Sequence, residues 1–223
     1  MIQAFKHSLV LTAFAVALVA GSVQADDTPS GDIKLSEVPA NVREAADKIA
    51  PKVDWTEVSK SKRANQSVYE LRGKDAKGRL LGVALSSECK LIEFAAMIGE
   101  EDLPEAIKKS VDKFASKAKF DEIIRGTEGE ITTFLIQGKK SDGRRIHLAI
   151  DLDGKITRSK TEIDQEEIPK PMLKSIQNLP MNKGSKIIRC WKVINKKDHP
   201  AVFYIDMIDA QGNAFAAQTA EQS

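Results

Sequence analysis

The side chains best suited to covalent or metal chemistry are few and scattered. Downstream of Ala25 the chain holds two histidines, His147 and His199, and two cysteines, Cys89 and Cys190. A metal site needs three or four ligands, and none of these residues falls in a CxxC, HxH or HExxH grouping, so the sequence implies neither metal nor cofactor. A catalytic serine needs a base oriented beside it, and no G-x-S-x-G segment accompanies either histidine. His199 precedes Pro200 in a stretch that reads as an inserted, exposed loop. Asp151 and Asp153 have the look of an acid pair, but they lie in Asp151-Leu152-Asp153-Gly154, a turn in which aspartate is favoured because it bonds its own backbone. A small-ligand or cation sensor of the envelope, using that turn, is the alternative to a purely protein-binding role, and a hydrolase is a more remote one. Calcium wants six to eight oxygens, however, and Thr157 and Lys160 stand where further acids would be needed. The chain reads as non-enzymatic.

The segment 1–25 has the layout of a cleavable export signal. Lys6 carries the only formal charge, Ser8 to Ala20 is an uncharged apolar run too short to span a bilayer, and Val23 and Ala25 supply small residues before a cleavage point that would leave Asp26 first. Of the 34 basic residues, 33 then remain against 32 acidic ones, a net charge of +1. A balance so even is not the electrostatic footprint of a nucleic-acid binder, and the signal-free chain offers nothing to hold a membrane. In an exported chain two cysteines can pair, so Cys89 and Cys190 are a candidate disulfide. A linear array of domains would hold them too far apart for one.

An internal repeat runs through the chain. Glu37-Val38-Pro39, Asp102-Leu103-Pro104 and Glu167-Ile168-Pro169 share the order acid, aliphatic, proline, and Pro104 stands midway between Pro39 and Pro169. In the same registers follow Val42, Ile107 and Met172, then Ala46, Val111 and Ile176, then Ile49, Phe114 and Leu179. That spacing lays one apolar stripe along a helix, so helices are expected over 37–50, 102–116 and 167–179. Downstream the period falls to two, the mark of strands with one buried face. Lys74-Asp75-Ala76-Lys77-Gly78 and Lys140-Ser141-Asp142-Gly143 read as hairpin turns between them. The third copy ends after three strands, Ile187 to Ile194, Val202 to Ile208 and Ala214 to Gln218.

An aliphatic-Pro opening of a helix, a strand containing Tyr69-Glu70-Leu71, and a closing Asp153-Gly154-Lys155-Ile156 turn together resemble the PepSY-like family, related in fold to the β-lactamase inhibitor proteins. The resemblance implies an α+β fold of tandem units, each one helix on an antiparallel four-stranded sheet, the third unit lacking its last strand. The expected layout is a signal at 1–25, a flexible segment at 26–34, and units at 35–97, 100–163 and 166–223. It further implies an exported, periplasmic or secreted protein that binds or inhibits another protein. By strand alternation the sheet face opposite the helices carries Glu70, Arg72, Gly82 and Ala84, then Leu135, Gln137, His147 and Ala149, then Tyr204, Asp206 and Ile208. Glycine and alanine there permit close approach by a partner, so Arg72, Gly82, Leu135, His147 and Tyr204 are the candidate contacts with an unknown protein.

Overall fold

The computed structural model describes residues 28–63, 66–195 and 199–220. The export signal expected at 1–25 lies outside them. Among the described residues there are three α-helices, α1 (Ala40–Ile49), α2 (Glu105–Phe114) and α3 (Lys170–Gln177). Each begins directly after one of the three motif prolines, whose carbonyl takes the first helical N–H groups: Val42 and Arg43 donate to Pro39, Ile107 and Lys108 to Pro104, and Met172 and Leu173 to Pro169. The motif acids act one step earlier. Glu37, Asp102 and Glu167 accept the backbone N–H groups of Lys34, Gly99 and Asp164 at 2.7, 3.3 and 3.0 Å, closing a single 3-10 turn that feeds each helix. The acid-aliphatic-Pro pattern is thus a helix-entry device, with the aliphatic residue (Val38, Leu103 or Ile168) buried beneath the turn.

Among the described residues twelve strands follow one another in a single antiparallel sheet whose spatial order is the chain order. They are β1 (Thr28–Asp32), β2 (Asp54–Arg63), β3 (Gln66–Lys74), β4 (Leu80–Ser86), β5 (Leu91–Met97), β6 (Lys119–Glu128), β7 (Ile131–Lys139), β8 (Arg145–Asp151), β9 (Ile156–Ile163), β10 (Lys186–Asn195), β11 (Val202–Ile208) and β12 (Ala214–Ala220). This corrects the expectation of one four-stranded sheet per helix. β9, which would close the second such sheet, pairs with β10 from Cys190 opposite Ile163 to Asn195 opposite Arg158. The reason is edge chemistry, since a strand left at the rim of a small sheet exposes a row of unpaired N–H and C=O groups. A second correction concerns the flexible segment at 26–34. Thr28–Asp32 is a strand paired with β2, and Ile33 donates to Val58 O at 3.0 Å while packing on the first core.

The chain divides into two compact units, one holding residues up to 98 with 125–131, the other 99–124 with 132–223. In the first, Val38, Val42 and Ala46 pack with Val58, Tyr69, Leu71, Val83 and Leu85, so α1 covers one face of its strands. In the second, Ile168 and Ile176 meet Ile163, Cys190, Phe203, Ile205 and Met207 in the core under α3. The intervening residues of these strands (Glu70, Arg72, Trp191, Tyr204, Asp206) point the other way, as the two-residue period requires.

Tight turns hold the strands in register by a repeated device. Asp75 accepts the N–H groups of Lys77 and Arg79, Asp209 those of Gln211 and Asn213, and Ser86 Oγ those of Glu88 and Lys90. Asp151 does the same for Lys155 at 2.8 Å. These bonds hold Asp75 and Asp209 below the usual carboxylate range, through the Arg79 N–H foremost in the first and the Asn213 side chain in the second.

Candidate functional site

The face opposite the helices is where strand alternation placed the candidate contacts, and all five lie on it. Arg72 and Gly82 are cross-strand partners in the first unit. Leu135 stands opposite Ala149, His147 opposite Gln137 and Lys160, and Tyr204 opposite Trp191, all in the second unit.

In the first unit a chain of charges crosses the face. Arg63 binds Glu70 at 2.8 Å and reaches Glu93 at 3.9 Å, while Arg72 approaches the other oxygen of Glu70 at 3.6 Å. Beneath them Gly82, Ala84 and Ala95 form a floor of small residues, and the whole lines a groove. Small side chains on β4 and β5 leave the long charged ones room to lie flat. Glu93 is held above the usual glutamate range chiefly because it is desolvated, with repulsion from Glu70 and Glu128 adding and Arg63 opposing. Arg72 and Gly82 were legible here from alternation, but Arg63 and Glu93 enter only through the pairing of β2 with β3 and β4 with β5.

In the second unit the centre of the face is Trp191, only 3% exposed although it points away from α3. Its indole N–H donates to Asp206 Oδ2 at 2.9 Å. Lys160 Nζ lies 4.2 Å from the ring centroid, Arg189 lies at 5.5 Å, and the His147 ring meets it edge-on at 5.4 Å and 82°. Arg189 is anchored in turn by Glu162 at 3.3 Å. Beside this group Glu122 accepts from Gln137 Nε2 at 3.0 Å, and desolvation lifts its carboxyl above the usual range. Desolvation also lowers the basicity of His147, reinforced by Lys160, Arg145 and Arg158, and lowers that of Lys160 against the opposing pull of Asp206. The imidazole is therefore harder to protonate here than in water. A cation–π contact of this kind contributes about 0.5–2 kcal/mol depending on how dry it is. Trp191 and Lys160 are absent from the candidate contacts because that face was drawn from β3, β4, β7, β8 and β11 alone, with β9 and β10 left out. The signal was available, since Trp191 follows the core residue Cys190 and so falls on the opposite phase.

The candidate disulfide does not form: Cys89 and Cys190 are both free thiols. The physical reason is that each belongs to a different core, Cys89 packing on the one under α1 and Cys190 buried in the one under α3. Cys89 occupies a turn at φ 65° and accepts a hydrogen bond from Asn41 Nδ2 at 3.2 Å. Burial, with nearby Asp206, Glu166 and Asp164, pushes the Cys190 thiol up to about 11. The thiolate, the reactive form, is correspondingly disfavoured at Cys190. A thiol-selective reagent applied to native protein is expected to modify Cys89 alone, and to modify both after denaturation. Mass spectrometry counts the adducts, and rapid native modification of both would contradict the buried placement of Cys190.

Among the described residues no helix is long and apolar enough to cross a membrane. Neither a family model nor a curated protein matches the chain. Similar solved structures exist. A DUF2874 family protein from Bacteroides uniformis shares 14% identity, with 60% of this chain and 94% of that one covered and a TM-score of 0.40. A second DUF2874 family protein, from Bacteroides ovatus, shares 12% over 55% and 86% with a TM-score of 0.40. A BLIP-like protein from Bacteroides fragilis shares 15% over 59% and 93% with a TM-score of 0.39.

Proposed function

We propose that this chain is an exported, non-enzymatic PepSY-like repeat protein that binds or inhibits another envelope or extracellular protein through the sheet face opposite its helices. The observation that carries the reading is the state of that face in the second unit. An ordinary solvated face would hold independent, hydrated side chains, whereas here Trp191, His147, Lys160, Arg189 and Asp206 are locked to one another with the indole almost wholly covered. Aromatic and cationic groups already fixed in place lose little entropy on association, which is how a few anchors come to dominate a protein interface. Tandem construction is supported by the recurrence of elements at the spacing of the motif prolines: α1 and α2, β2 and β6, β3 and β7, and β4 and β8 begin and end at that offset. A scaffold repeated this way offers a wide surface while its outward residues vary from copy to copy.

The test is capture by crosslinking from an envelope extract. Tyr204→Ala and Leu135→Ala are expected to weaken capture by roughly 1–4 kcal/mol, with unchanged melting temperature. Charge reversal at Arg72 should act mainly on association rate and salt dependence. Capture indifferent to all three substitutions would rule out this face.

A further inference from the structure

The strand order ends at β12, and this edge differs from the opposite one at β1. Among the described residues β12 pairs only with β11, from Val202 opposite Ala220 to Ile208 opposite Ala214. Its sequence, Ala-Phe-Ala-Ala-Gln-Thr-Ala, contains no charge and no proline. Exposed edges are normally blunted by such residues, and the other end of the sheet shows it: β1 contains Pro29, which has no N–H to donate, carries the exposed charge of Asp32, and pairs irregularly with β2 between Thr28 and Gly31. The two ends are therefore not equivalent. One is protected against pairing and the other is open to it.

The core under α3 is also incompletely covered. The core under α1 draws Leu91 and Phe94 from a fourth strand, β5. Under α3, which lies against β12, the outermost contributions are Phe215 and Ala217 of β12 itself. Val42 and Ile107 are 0% exposed, but Met172 at the matching helical position is partly exposed, and Leu179 just beyond α3 is 43% exposed.

We infer that β12 is a dimer seam, joined antiparallel to β12 of a second copy of this chain about a two-fold axis through Ala217. That register sets Ala214 opposite Ala220, Phe215 opposite Thr219 and Ala216 opposite Gln218. No like charges meet, which is what self-pairing requires of a strand. A two-fold axis perpendicular to the sheet keeps both α3 helices on the same side, so they flank the seam and cover Phe215, Met172 and Leu179. The second copy supplies a strand beside β12, which among the described residues pairs only with β11. A head-to-tail chain of copies would instead need the blunted β1 edge, so association stops at two.

Sedimentation of the purified full chain over a range of concentrations tests this directly. A reversible dimer is expected. Ala216→Lys with Gln218→Lys places two lysine pairs across the seam on exposed positions and should raise the dimer dissociation constant about tenfold or more. Ala216→Lys with Gln218→Glu makes the same two cross-strand pairs complementary and should restore the dimer. Unfolding curves confirm that both variants fold. A wild-type chain that stays monomeric at every concentration overturns the inference, and so does a dimer unaffected by the paired lysines. Open-ended assembly would overturn the two-fold register.

Discussion

Gly138→Ala is expected to destabilise the protein by about 3 kcal/mol, the upper range for forcing extra volume into a packed site, and Gly73→Ala by a similar amount. Neither glycine has positive φ, so backbone conformation is not the cause. Close approach is. A Cβ on Gly138 would be driven into the backbone carbonyl oxygen of Lys119 and would lie 2.9 Å from Phe120 Cα. A Cβ on Gly73 would meet the carbonyl of Asp54 in the same way, with the Val53 side chain at 2.8 Å. The obstructing atoms are backbone at the start of β6 and β2, where β2 carries a register shift between Trp55 and Glu57, so they cannot swing aside as a side chain would. Gly31→Ala is the control. No atom lies within 4 Å of its added Cβ, and a change within about 0.5 kcal/mol is expected for such an exposed site. Urea unfolding midpoints measure all three, and an unchanged midpoint for Gly138→Ala would mean that β6 and β7 stand further apart at this point than the structure places them.

Trp191→Ala should cost about 3–5 kcal/mol, the range for deleting a buried aromatic side chain. The residue sits on the face that strand alternation assigns to solvent, where an exposed tryptophan would cost almost nothing to remove, so the experiment separates the two placements. Trp191→Phe keeps most of the ring but leaves Asp206 without its indole donor, for about 1–3 kcal/mol. The substitution to alanine also alters the pH response. In the folded protein His147 is less basic than usual, so on acidification the unfolded chain takes up this proton first. The stability associated with the neutral imidazole is present above the ordinary histidine pKa and is lost as pH falls through the folded value. Opening the cluster hydrates His147, so Trp191→Ala should show a shallower loss of stability between pH 7 and pH 5 than the wild type. Parallel curves would show that the indole does not control the desolvation of the imidazole.

Local pattern was enough to locate the elements. The stripe of Val42, Ala46 and Ile49, and its counterparts in the two later copies, identifies α1, α2 and α3, and the prolines at 39, 104 and 169 mark where each begins. Strand alternation likewise assigned Arg72, His147 and Tyr204 to the face away from the helices. Such signals reside within a short run of consecutive residues, because helix and strand periods are properties of the backbone itself. The union of the strands in one sheet did not follow from them. Whether β9 ends a small sheet or pairs with β10 depends on hydrogen bonds between segments well separated in the chain, and neither strand's own period registers that choice. The same holds for the charge chain from Arg72 to Glu93 and for the enclosure of Trp191 by Lys160, His147 and Asp206, which arise where separate strands come into register. The two free cysteines make the point most simply: their number alone allows a bond between them, but which core each one joins, Cys89 the one under α1 and Cys190 the one under α3, is settled by packing.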